Sequence, residues 1–325
     1  MGFPVEVFDE FYELPFNKFA NTKIPLYWKP LKRKLSKILQ EYQPDLVHAH
    51  NIIAAKLISE FRVPFVYNDH EYWSKHCRLQ ARIWKPNKMF VKWLWTRWEK
   101  EVLRKASAVI TTTETIAREH RTLCDHVYVA PNFPSRMETE SLKLSLNGYK
   151  HLSSVYIGSD FSRSLAHTAL PHRNTEDFLQ IFHHDSVGTL TVFGDTNLPS
   201  SRNTNSLGFL PHHTMMKKLT KHHIGLIPWK KHWLHKYNCP NKAYEYAHAG
   251  LLVLTVSDLI DVKQHLGKFC VTFDDPNALE ELLMYYAANL DEIDELRPQI
   301  REFALENLTW EKKCAPAILR AYSKI

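Results

Sequence analysis

The sequence predicts an α/β protein with two doubly wound, Rossmann-like parallel-sheet domains that face a common cleft. Its 325 residues suit two domains of about 100–200 residues each. Short apolar strand patterns alternate with helical patterns, as in parallel sheets whose crossover helices cover both faces. This alternation occurs twice, on either side of a polar stretch around residues 138–150. We therefore predict a first domain at residues 1–145, a second at 146–308 and a terminal helix at 309–325.

The first array begins with an alternating strand pattern at Pro4–Phe8 and a basic helical pattern at Pro30–Gln40. Two later strands end directly in polar residues, and the carboxyl ends of parallel strands are where such sheets bind ligands. The further predicted strands are Pro44–Asn51, Val63–Tyr67, Ala108–Thr111 and His126–Val129, and the further helices are Ile52–Phe61 and Trp84–Lys105.

The second array repeats this order after the polar stretch. Because its strands also run parallel, we expect its carboxyl edge to form the other wall of the cleft. Its predicted strands are Ser153–Gly158, Leu190–Gly194, His223–Pro228 and Leu251–Thr255, and its predicted helices are Thr175–Phe182, Asn241–Ala249, Asn277–Ala288 and one that follows Thr309.

Composition indicates an ordinary folded protein, with 44% hydrophobic and 24% charged residues. The cysteines are odd in number and show no C-x-x-C pair, which predicts free thiols in a reducing compartment. No signal-peptide pattern follows Met1, and no apolar run approaches the ~18–20 residues of a membrane-spanning helix. We therefore expect a cytoplasmic protein, which can still lie peripherally against the inner face of a membrane. The five cysteines are Cys77, Cys124, Cys239, Cys270 and Cys314.

The formal net charge of +7 is concentrated in one segment, residues 75–105, where ten Lys/Arg face two Glu. Four tryptophans lie in the same segment and a fifth, Trp73, just before it. Three interpretations remain open: half-buried packing with solvated charges opposite, contact with an anionic membrane, or stacking on nucleic acid. Apolar residues at helical spacing require part of the segment to pack in the core. Of the two external partners we expect the membrane, and no nucleic acid.

A proline-started helix carries the sharpest chemical signal. Asn241 and Lys242 lie in its first turn, where free backbone N–H groups and the positive end of the helix dipole suit an anionic phosphate. Glu245 follows three residues later and can accept hydrogen bonds from a diol such as a ribose. Gly250 ends the helix before the next strand. The same pattern also fits a surface helix that ends at a glycine.

This segment resembles the donor-binding signature of the family 4 (group 1) retaining glycosyltransferases, roughly P-x-K-x-x-E-Y-x-A-x-G-x-P-V. Other segments resemble further motifs of that family in the same order: Asp45–Asn51, Val63–Glu71, Ala108–Thr113, Val129–Asn132 and Trp310-Glu311. The resemblance implies a GT-B fold, a nucleotide-diphosphate sugar donor in the cleft, and transfer to a glycan or lipid-linked acceptor with retention of configuration. It also implies that the last helix crosses back to the first domain.

The resemblance assigns roles to individual residues. Glu245 would bind the donor ribose, and Asn241 and Lys242 would lie near the phosphates or the sugar. His70 would face the transferred sugar from the first domain and is the candidate catalytic residue. We take His50, Asn51, Asp69 and Glu71 as acceptor-side candidates, although Asp69 and Glu71 also fit general acid/base or strand-end capping roles.

The chain departs from the family pattern at three places. Tyr237 stands where the family often has a second glutamate, eight residues before Glu245. We take Gly158, at the end of the second domain's first strand, as a further donor-side residue. After it, only Arg163 and Arg173 are available for the diphosphate, where the family has an Arg and a Lys. Gly2–Val7 resembles the family's second strand, so we expect the family's first strand and helix, roughly 30 residues, to be missing from the first domain.

Metal and cofactor sites are not expected. The sequence has no Asp-x-Asp pair, and no G-x-G-x-x-G or P-loop motif. His48 and His50 would share one face of a strand, but no third ligand follows at zinc-like spacing. We therefore expect a transferase that requires no metal. The alternative from another class is a non-catalytic GT-B-like subunit that binds a glycan, a nucleotide or a partner transferase. A sugar-nucleotide epimerase fits less well, because Pro240–Gly250 and Trp310-Glu311 look like transferase features.

Overall fold

The computed structural model describes residues 9–14, 28–76, 85–145, 150–158, 176–194 and 202–324. Within these ranges the chain forms two parallel sheets, one of four strands and one of six. Helices lie between most successive strands in both sheets. This is the predicted architecture of two α/β domains.

The first sheet has the strand order β1-β2-β3-β4, with every pair parallel. Its strands are apolar enough to be covered on both faces, so that β2 and β3 are buried at every position. The strands are β1 Val47–His50, β2 Phe65–Asp69, β3 Ala108–Thr111 and β4 Val127–Val129, and the helices are α1 Lys29–Tyr42, α2 Asn51–Ile58, α3 Trp73–His76, α4 Lys85–Lys105, α5 Glu114–His120 and α6 Arg136–Thr139.

Helix α4 explains why the basic, tryptophan-rich segment supports two interpretations. Its Trp95 and Trp98 are 1% and 3% exposed and pack in the first core. The Trp98 ring lies 5.2 Å from that of Trp28, and the Trp95 ring 5.5 Å from that of Trp73. Trp93, on the other side of the helix, is 54% exposed. The segment is therefore part core and part surface.

The second sheet has the order β10-β9-β8-β5-β6-β7, also parallel throughout. Its central strands are nearly continuous apolar runs, as expected of a sheet with helices on both faces. The strands are β5 Ser153–Ile157, β6 Thr189–Phe193, β7 Thr204–Ser206, β8 Ile224–Ile227, β9 Leu252–Val256 and β10 Cys270–Phe273, and the helices are α7 Glu176–Leu179, α8 His212–Leu219, α9 Asn241–His248, α10 Ile260–Leu266, α11 Pro276–Ala288, α12 Leu290–Asn307 and α13 Ala315–Tyr322.

Helix α9 is fixed to the second sheet through Tyr246. The hydroxyl of this tyrosine accepts a hydrogen bond from the backbone N–H of Ile157 at 2.8 Å and donates to the carbonyl of Leu226 at 3.2 Å. Its ring lies over Gly225, where a Cβ atom would come within 2.2–2.3 Å of ring atoms. The glycine therefore allows α9 to lie close to the sheet, which sets the position of the helix's first turn.

The chain returns to the first sheet at its end. After α12, residues Trp310–Cys314 form a π-helical segment, and Glu311 accepts hydrogen bonds from the backbone N–H of Arg136 at 2.9 and 3.1 Å. The Trp310 N–H donates to the carbonyl of Pro134 at 2.9 Å. Helix α13 then packs Ala321 against the first sheet beside Ile110.

Most predicted elements match observed ones, with ends shifted by one to three residues. The strand predicted at Pro4–Phe8 lies outside the described residues. The sequence patterns missed the short helices α3, α5 and α6, and also β7, α8, α10, β10 and the 18-residue α12. The polar stretch around 138–150 is more than a linker, since it contains the end of α6 and the buried Leu142. The domain boundaries drawn from the sequence stay predictions.

Two chemical expectations concern the chain as a whole. Four of the five cysteines lie in the described part of the chain, and all four are free and buried: Cys124, Cys239, Cys270 and Cys314. Cys77 lies outside it. Among the helices that the structure describes, none has a stretch long and apolar enough to cross a membrane.

Candidate functional site in the interdomain cleft

A cleft lies between the two sheets and contains two adjoining cavities of about 600 and 410 Å³. Four side chains line both cavities: His70, Asn132, Asn241 and Glu245. His70 comes from the end of β2 in the first domain, and Asn241 and Glu245 come from α9 in the second. The structure thus brings together residues that the sequence placed 170 positions apart or more.

The smaller cavity is built around the first turn of α9. Pro240 lies at the N-cap with extended backbone dihedrals, and its carbonyl accepts a hydrogen bond from the Ala243 N–H at 3.1 Å. The Lys242 ammonium lies over the Tyr156 ring, 4.3 Å from its centre, and 5.3 Å from the Trp229 ring centre. The predicted phosphate-side lysine is therefore in the cleft, held on two aromatic faces.

Gly158 contributes by leaving room for this aromatic surface. It follows β5 directly, and its N–H donates to the carbonyl of Phe193 at 2.8 Å. A Cβ atom at this position would lie 2.7–2.8 Å from the Tyr156 ring and its hydroxyl. The glycine therefore leaves room for the ring over which Lys242 lies, and Gly158 itself lines neither of the two cavities. Arg163 and Arg173, the other donor-side predictions, lie outside the described residues.

Glu245 already has a partner within the protein. Its Oε1 lies 3.1 Å from Nε2 of His212, and its side chain is 14% exposed. The hydrogen bond to Glu245 raises the pKa of His212, which favours a charged imidazole opposite the carboxylate. Sequence reasoning missed His212, because helix α8, which begins at this residue, was not predicted.

Three histidines form a column at the carboxyl edge of the first sheet. The His48 and His50 rings stack with centres 4.5 Å apart, and His70 follows at 5.6 Å from His50. Nδ1 of His50 lies 3.4 Å from Nε2 of His70, and Nδ1 of His48 lies 2.6 Å from the Tyr322 hydroxyl on α13. All three histidines line the larger cavity.

Burial keeps this column neutral. Burial, together with the neighbouring His50 and His70, lowers the pKa of His48 to about 4. Burial also lowers the pKa of His50 and, with His50 as its neighbour, the pKa of His70. A neutral imidazole has one donor and one acceptor nitrogen, so His70 can bind a sugar hydroxyl in either sense.

The structure corrects two acceptor-side predictions. Asp69 is fully buried and lies 2.7 Å from Nε2 of His120 on α5, so it points into the domain and not into the cleft. Burial alone would lower the pKa of His120, but the hydrogen bond that His120 donates to the Asp69 carboxylate raises it. Asn51 has a φ of 65° and its side chain accepts from the N–H groups of Ile53 and Ala54. Asn51 therefore starts α2 and lines neither cavity.

The other two acceptor-side predictions do lie in the cleft. His50 lines the larger cavity, next to His70. Glu71 lines the smaller cavity, its side chain is 55% exposed, and its Oε2 lies 3.8 Å from Nδ1 of His76. The cleft thus has a histidine-rich half on the first domain and a lysine–glutamate half on the second.

Tyr237, which stands at the position of the family's second glutamate, joins the two domains. Its hydroxyl donates to Oε1 of Glu119 at 2.5 Å, and the Tyr72 hydroxyl donates to the other oxygen of this carboxylate. Burial alone would raise the pKa of Glu119, but these two hydrogen bonds and Lys75, at 3.3 Å, hold it below its ordinary value. Glu119 therefore stays ionised and ties α5 to the second domain.

The candidate metal pair is arranged as a stack. His48 and His50 lie almost parallel, with 3° between their ring planes, so their nitrogens do not converge on one point. Within the described ranges, no group of three or more His, Cys, Asp or Glu side chains is placed to hold a metal ion. That the reaction requires no metal stays a prediction.

This architecture defines a class of protein. Two parallel-sheet α/β domains face a polar cleft with the carboxyl edges of their sheets, and the second domain contributes the first turn of a helix and a lysine. Comparison with known families then identifies the chain. Residues 2–133 match the model of glycosyltransferase family 4, and residues 168–318 match a glycosyl transferase-like model. Together the two models cover most of the chain. The chain thus carries a glycosyltransferase family 4 domain followed by a glycosyl transferase-like domain, as the resemblance implied, and its fold class is the predicted GT-B arrangement.

Solved structures support the same fold. Sucrose-phosphate synthase from Thermosynechococcus elongatus superposes with a TM-score of 0.66 at 13% identity, over 95% of this chain and 78% of that one. Anabaena HepE in complex with UDP gives 0.65 at 15% identity, over 91% and 82%. TarM gives 0.62 at 10% identity, over 90% of this chain and 57% of TarM. No curated protein matches the sequence. At such identities the likeness shows the fold alone.

Proposed function

We propose that the protein transfers a sugar from a nucleotide-diphosphate sugar to a glycan or lipid-linked acceptor, with retention of the anomeric configuration. One observation carries the proposal: Lys242 and Glu245 of the second domain and His70 of the first line the same cavity. A nucleotide sugar needs a cation for its diphosphate, a hydrogen-bond acceptor for its ribose diol and a hydrogen-bonding group for its sugar hydroxyls. Two of the similar structures, HepE and TarM, were determined with UDP, which makes UDP the first nucleotide to test.

The donor's diphosphate would lie at the first turn of α9. Lys242 reaches this point from the faces of Tyr156 and Trp229, and the N–H groups of the turn add fixed donors. Stabilising the charge of the departing diphosphate with such fixed groups lowers the barrier to transfer. Arg163 and Arg173 follow β5 in the sequence and stay candidates for the same diphosphate.

The ribose would bind Glu245, and the transferred sugar would face His70. Because Glu245 is bonded to His212, the ribose hydroxyls must replace that contact. His70 lines both cavities, so it would lie between the donor in the smaller cavity and the acceptor in the larger one. His50 and Glu71 are the remaining acceptor-side groups of this proposal.

The donor assignment is tested by thermal unfolding with a panel of nucleoside diphosphates and their sugars, beginning with UDP. A ligand present at 100 times its Kd stabilises the folded state by about 2.7 kcal/mol. We expect Glu245→Ala and Lys242→Ala to abolish most of that shift, and Glu281→Ala, on an exposed face of α11, to leave it unchanged. If no nucleotide stabilises the wild-type protein, the donor site is refuted.

Turnover and stereochemistry need separate measurements. Incubation with the stabilising nucleotide sugar should release the nucleotide, and proton NMR of the product's anomeric signal reports retention or inversion. Because we propose a reaction without metal, EDTA should leave the rate unchanged. An inverted product or loss of activity in EDTA would refute the respective part of the proposal.

The proposed acceptor implies a location. A lipid-linked acceptor would be met at the cytoplasmic face of a membrane, and residues 75–105, with their ten Lys/Arg, would contact its anionic surface. A soluble glycan acceptor would need no such contact. Turnover assayed with detergent-dispersed glycolipids and with free oligosaccharides separates the two acceptor classes.

A second function is favoured by one observation. Tyr237 removes the family's second carboxylate and places a neutral ring, 3% exposed, between the domains. A GT-B-like subunit that binds nucleotide or glycan without catalysis would need no carboxylate there. Protein that is stabilised by a nucleotide sugar but never releases nucleotide, with any acceptor of the panel, would support this second function over the first.

A further inference from the structure

We propose that the exposed face of α4 docks on an anionic lipid membrane. This face is a single helical stripe, because Met89, Trp93, Arg97, Lys100 and Arg104 follow one another at intervals of three or four residues. A shallow cavity of about 770 Å³ runs along it and is lined by these five residues and their helix neighbours. The proposal rests on the membrane contact of the proposed function and assigns it to one helix face; its test is separate from that of the donor site, which lies in the cleft.

The stripe has an apolar end and a basic end. At the apolar end, Met89 is 77% exposed, Phe90 59% and Trp93 54%. The Phe90 and Trp93 ring centres lie 5.9 Å apart, so the two rings form one exposed patch. Large apolar side chains that cluster in water mark a surface that another apolar phase covers.

The basic end is continuous with this patch. Arg97 lies with its guanidinium 5.7 Å from the centre of the Trp93 ring, and it is followed by Lys100 and Arg104, which are also exposed. Glu101, the acidic side chain on this cavity, is already bonded to Lys56 and Lys105. The charge of the stripe is therefore positive over its whole basic end.

The apolar end and the basic end of the stripe together indicate which partner binds it. Phe and Trp side chains enter the boundary between headgroups and acyl chains, while Lys and Arg stay with anionic headgroups, which is how amphipathic helices lie on membranes. Nucleic acid would neutralise Arg97 and Lys100 but would leave the apolar end in water. A second copy of the chain would bring like charges together. An anionic bilayer satisfies both ends.

The rest of α4 holds this face outward. Trp95 and Trp98, on the opposite side of the helix, are almost completely buried, and Lys105 and Glu101 fix its last turn. The stripe is therefore presented by a folded domain and does not need to fold on binding. This lowers the ordering cost of association.

Co-sedimentation of the whole protein with two kinds of vesicle tests the proposal. We expect it to sediment with vesicles that contain one third phosphatidylglycerol, and to stay in solution with pure phosphatidylcholine. Each basic side chain near an anionic surface contributes about 1 kcal/mol. Arg97→Gln with Lys100→Gln should therefore bind roughly 30-fold more weakly, and Phe90→Ser with Trp93→Ser at least tenfold more weakly.

Matched controls lie on other surfaces. Phe209→Ser replaces a phenylalanine that is 76% exposed on the second domain, and Lys312→Gln with Lys313→Gln removes the same charge elsewhere. Both should bind as the wild type does. All variants change exposed side chains, and unchanged thermal unfolding and an unchanged shift with nucleotide verify that the fold and the donor site are intact.

Three outcomes would overturn the proposal. Wild-type protein that stays in solution with the anionic vesicles shows that the stripe does not dock. Binding that survives Phe90→Ser with Trp93→Ser shows that charge alone acts. If duplex DNA displaces the protein from vesicles and binds this variant as tightly as the wild type, the stripe is a nucleic-acid surface.

Discussion

Restoring the family's glutamate at position 237 should lower the free energy of unfolding of this protein. The Tyr237 hydroxyl donates to Glu119 across the domain boundary, and Glu119 also accepts from Tyr72 and lies near Lys75. In Tyr237→Glu, a second carboxylate replaces the donor. Sequence comparison alone would expect this change to repair the site, whereas the structure predicts like-charge repulsion.

The magnitude follows from the contacts that change. A hydrogen bond to a charged group contributes about 1.5–3 kcal/mol. Two carboxylates about 4 Å apart repel by about 4 kcal/mol at an effective dielectric constant of ~20. Holding the introduced carboxyl neutral at pH 7 costs about the same, because its ordinary pKa is ~4.3 and each pKa unit is worth 1.36 kcal/mol. Lys75 offsets part of this cost. We therefore expect a loss of about 5 kcal/mol at pH 7.

The sign of the pH dependence provides the test. The folded pKa of the introduced carboxyl is raised, so the variant recovers stability as the pH falls, and at pH 5 neutralisation costs only about 1 kcal/mol. Urea unfolding at pH 7 and pH 5 measures this difference. Tyr237→Phe removes only the hydroxyl and should lose about 1.5–3 kcal/mol at both values. Adding Glu119→Gln to Tyr237→Glu removes one of the two carboxylates, so the double variant should regain most of the stability that the repulsion costs.

Two results would refute this reasoning. If Tyr237→Glu is as stable as the wild type at pH 7, the tyrosine does not face an ionised Glu119 in solution. If the loss is the same at pH 5 as at pH 7, it arises from packing of the buried ring and not from charge.

Three further predictions concern other buried or paired groups. Arg297, fully buried, donates to the carbonyls of Ser145, Thr220 and Gly250, so Arg297→Ala should lose about 3–5 kcal/mol in urea unfolding, whereas the exposed Arg320→Ala should lose none. Burial lowers the pKa of His222 to about 3. Because unfolded histidine binds protons below ~6.5, this one side chain should contribute a fall in stability of about 2 kcal/mol between pH 7 and pH 5, and His222→Gln should reduce the total fall by about that amount. His212→Ala releases Glu245 from its internal partner, so UDP should bind roughly fivefold more tightly in calorimetry, a gain of about 1 kcal/mol; weaker binding would show that His212 itself contacts the nucleotide.

Periodicity predicted the elements whose burial is one-sided or continuous. Strand Leu252–Val256 is buried at every position, and its sequence is apolar except for Thr255. Helix α12 was missed because its buried side includes Arg297 and Arg301, whose guanidinium groups bind backbone carbonyls of distant segments. A hydropathy pattern counts such side chains as exposed. The short edge strand Thr204–Ser206 was missed because it is polar.

The same limit applies to the cleft. The first turn of α9 could be predicted, since its proline, lysine and glutamate are neighbours in the sequence. The aromatic rings beneath Lys242 come from positions 156 and 229, and the partner of Glu245 from position 212, so no local pattern connects them. Asp69 was misassigned for the converse reason. A polar residue at a strand end suggests a ligand-binding role, but Asp69 is buried in the domain by its hydrogen bond with His120, 51 residues later in the sequence.

Under the proposed function, both donor-side residues already have partners within the protein, so a nucleotide would have to replace existing contacts. A diphosphate would draw Lys242 from two aromatic rings, and a ribose would replace an imidazole at Glu245. The ligand would therefore gain only the difference between the new and the old contacts, and its affinity would depend on making both exchanges at once. A free phosphate or a free nucleoside would make only one of the two exchanges. Under this binding mode, the cleft would favour a molecule that carries pyrophosphate and pentose at the spacing of Lys242 and Glu245, one turn of α9 apart.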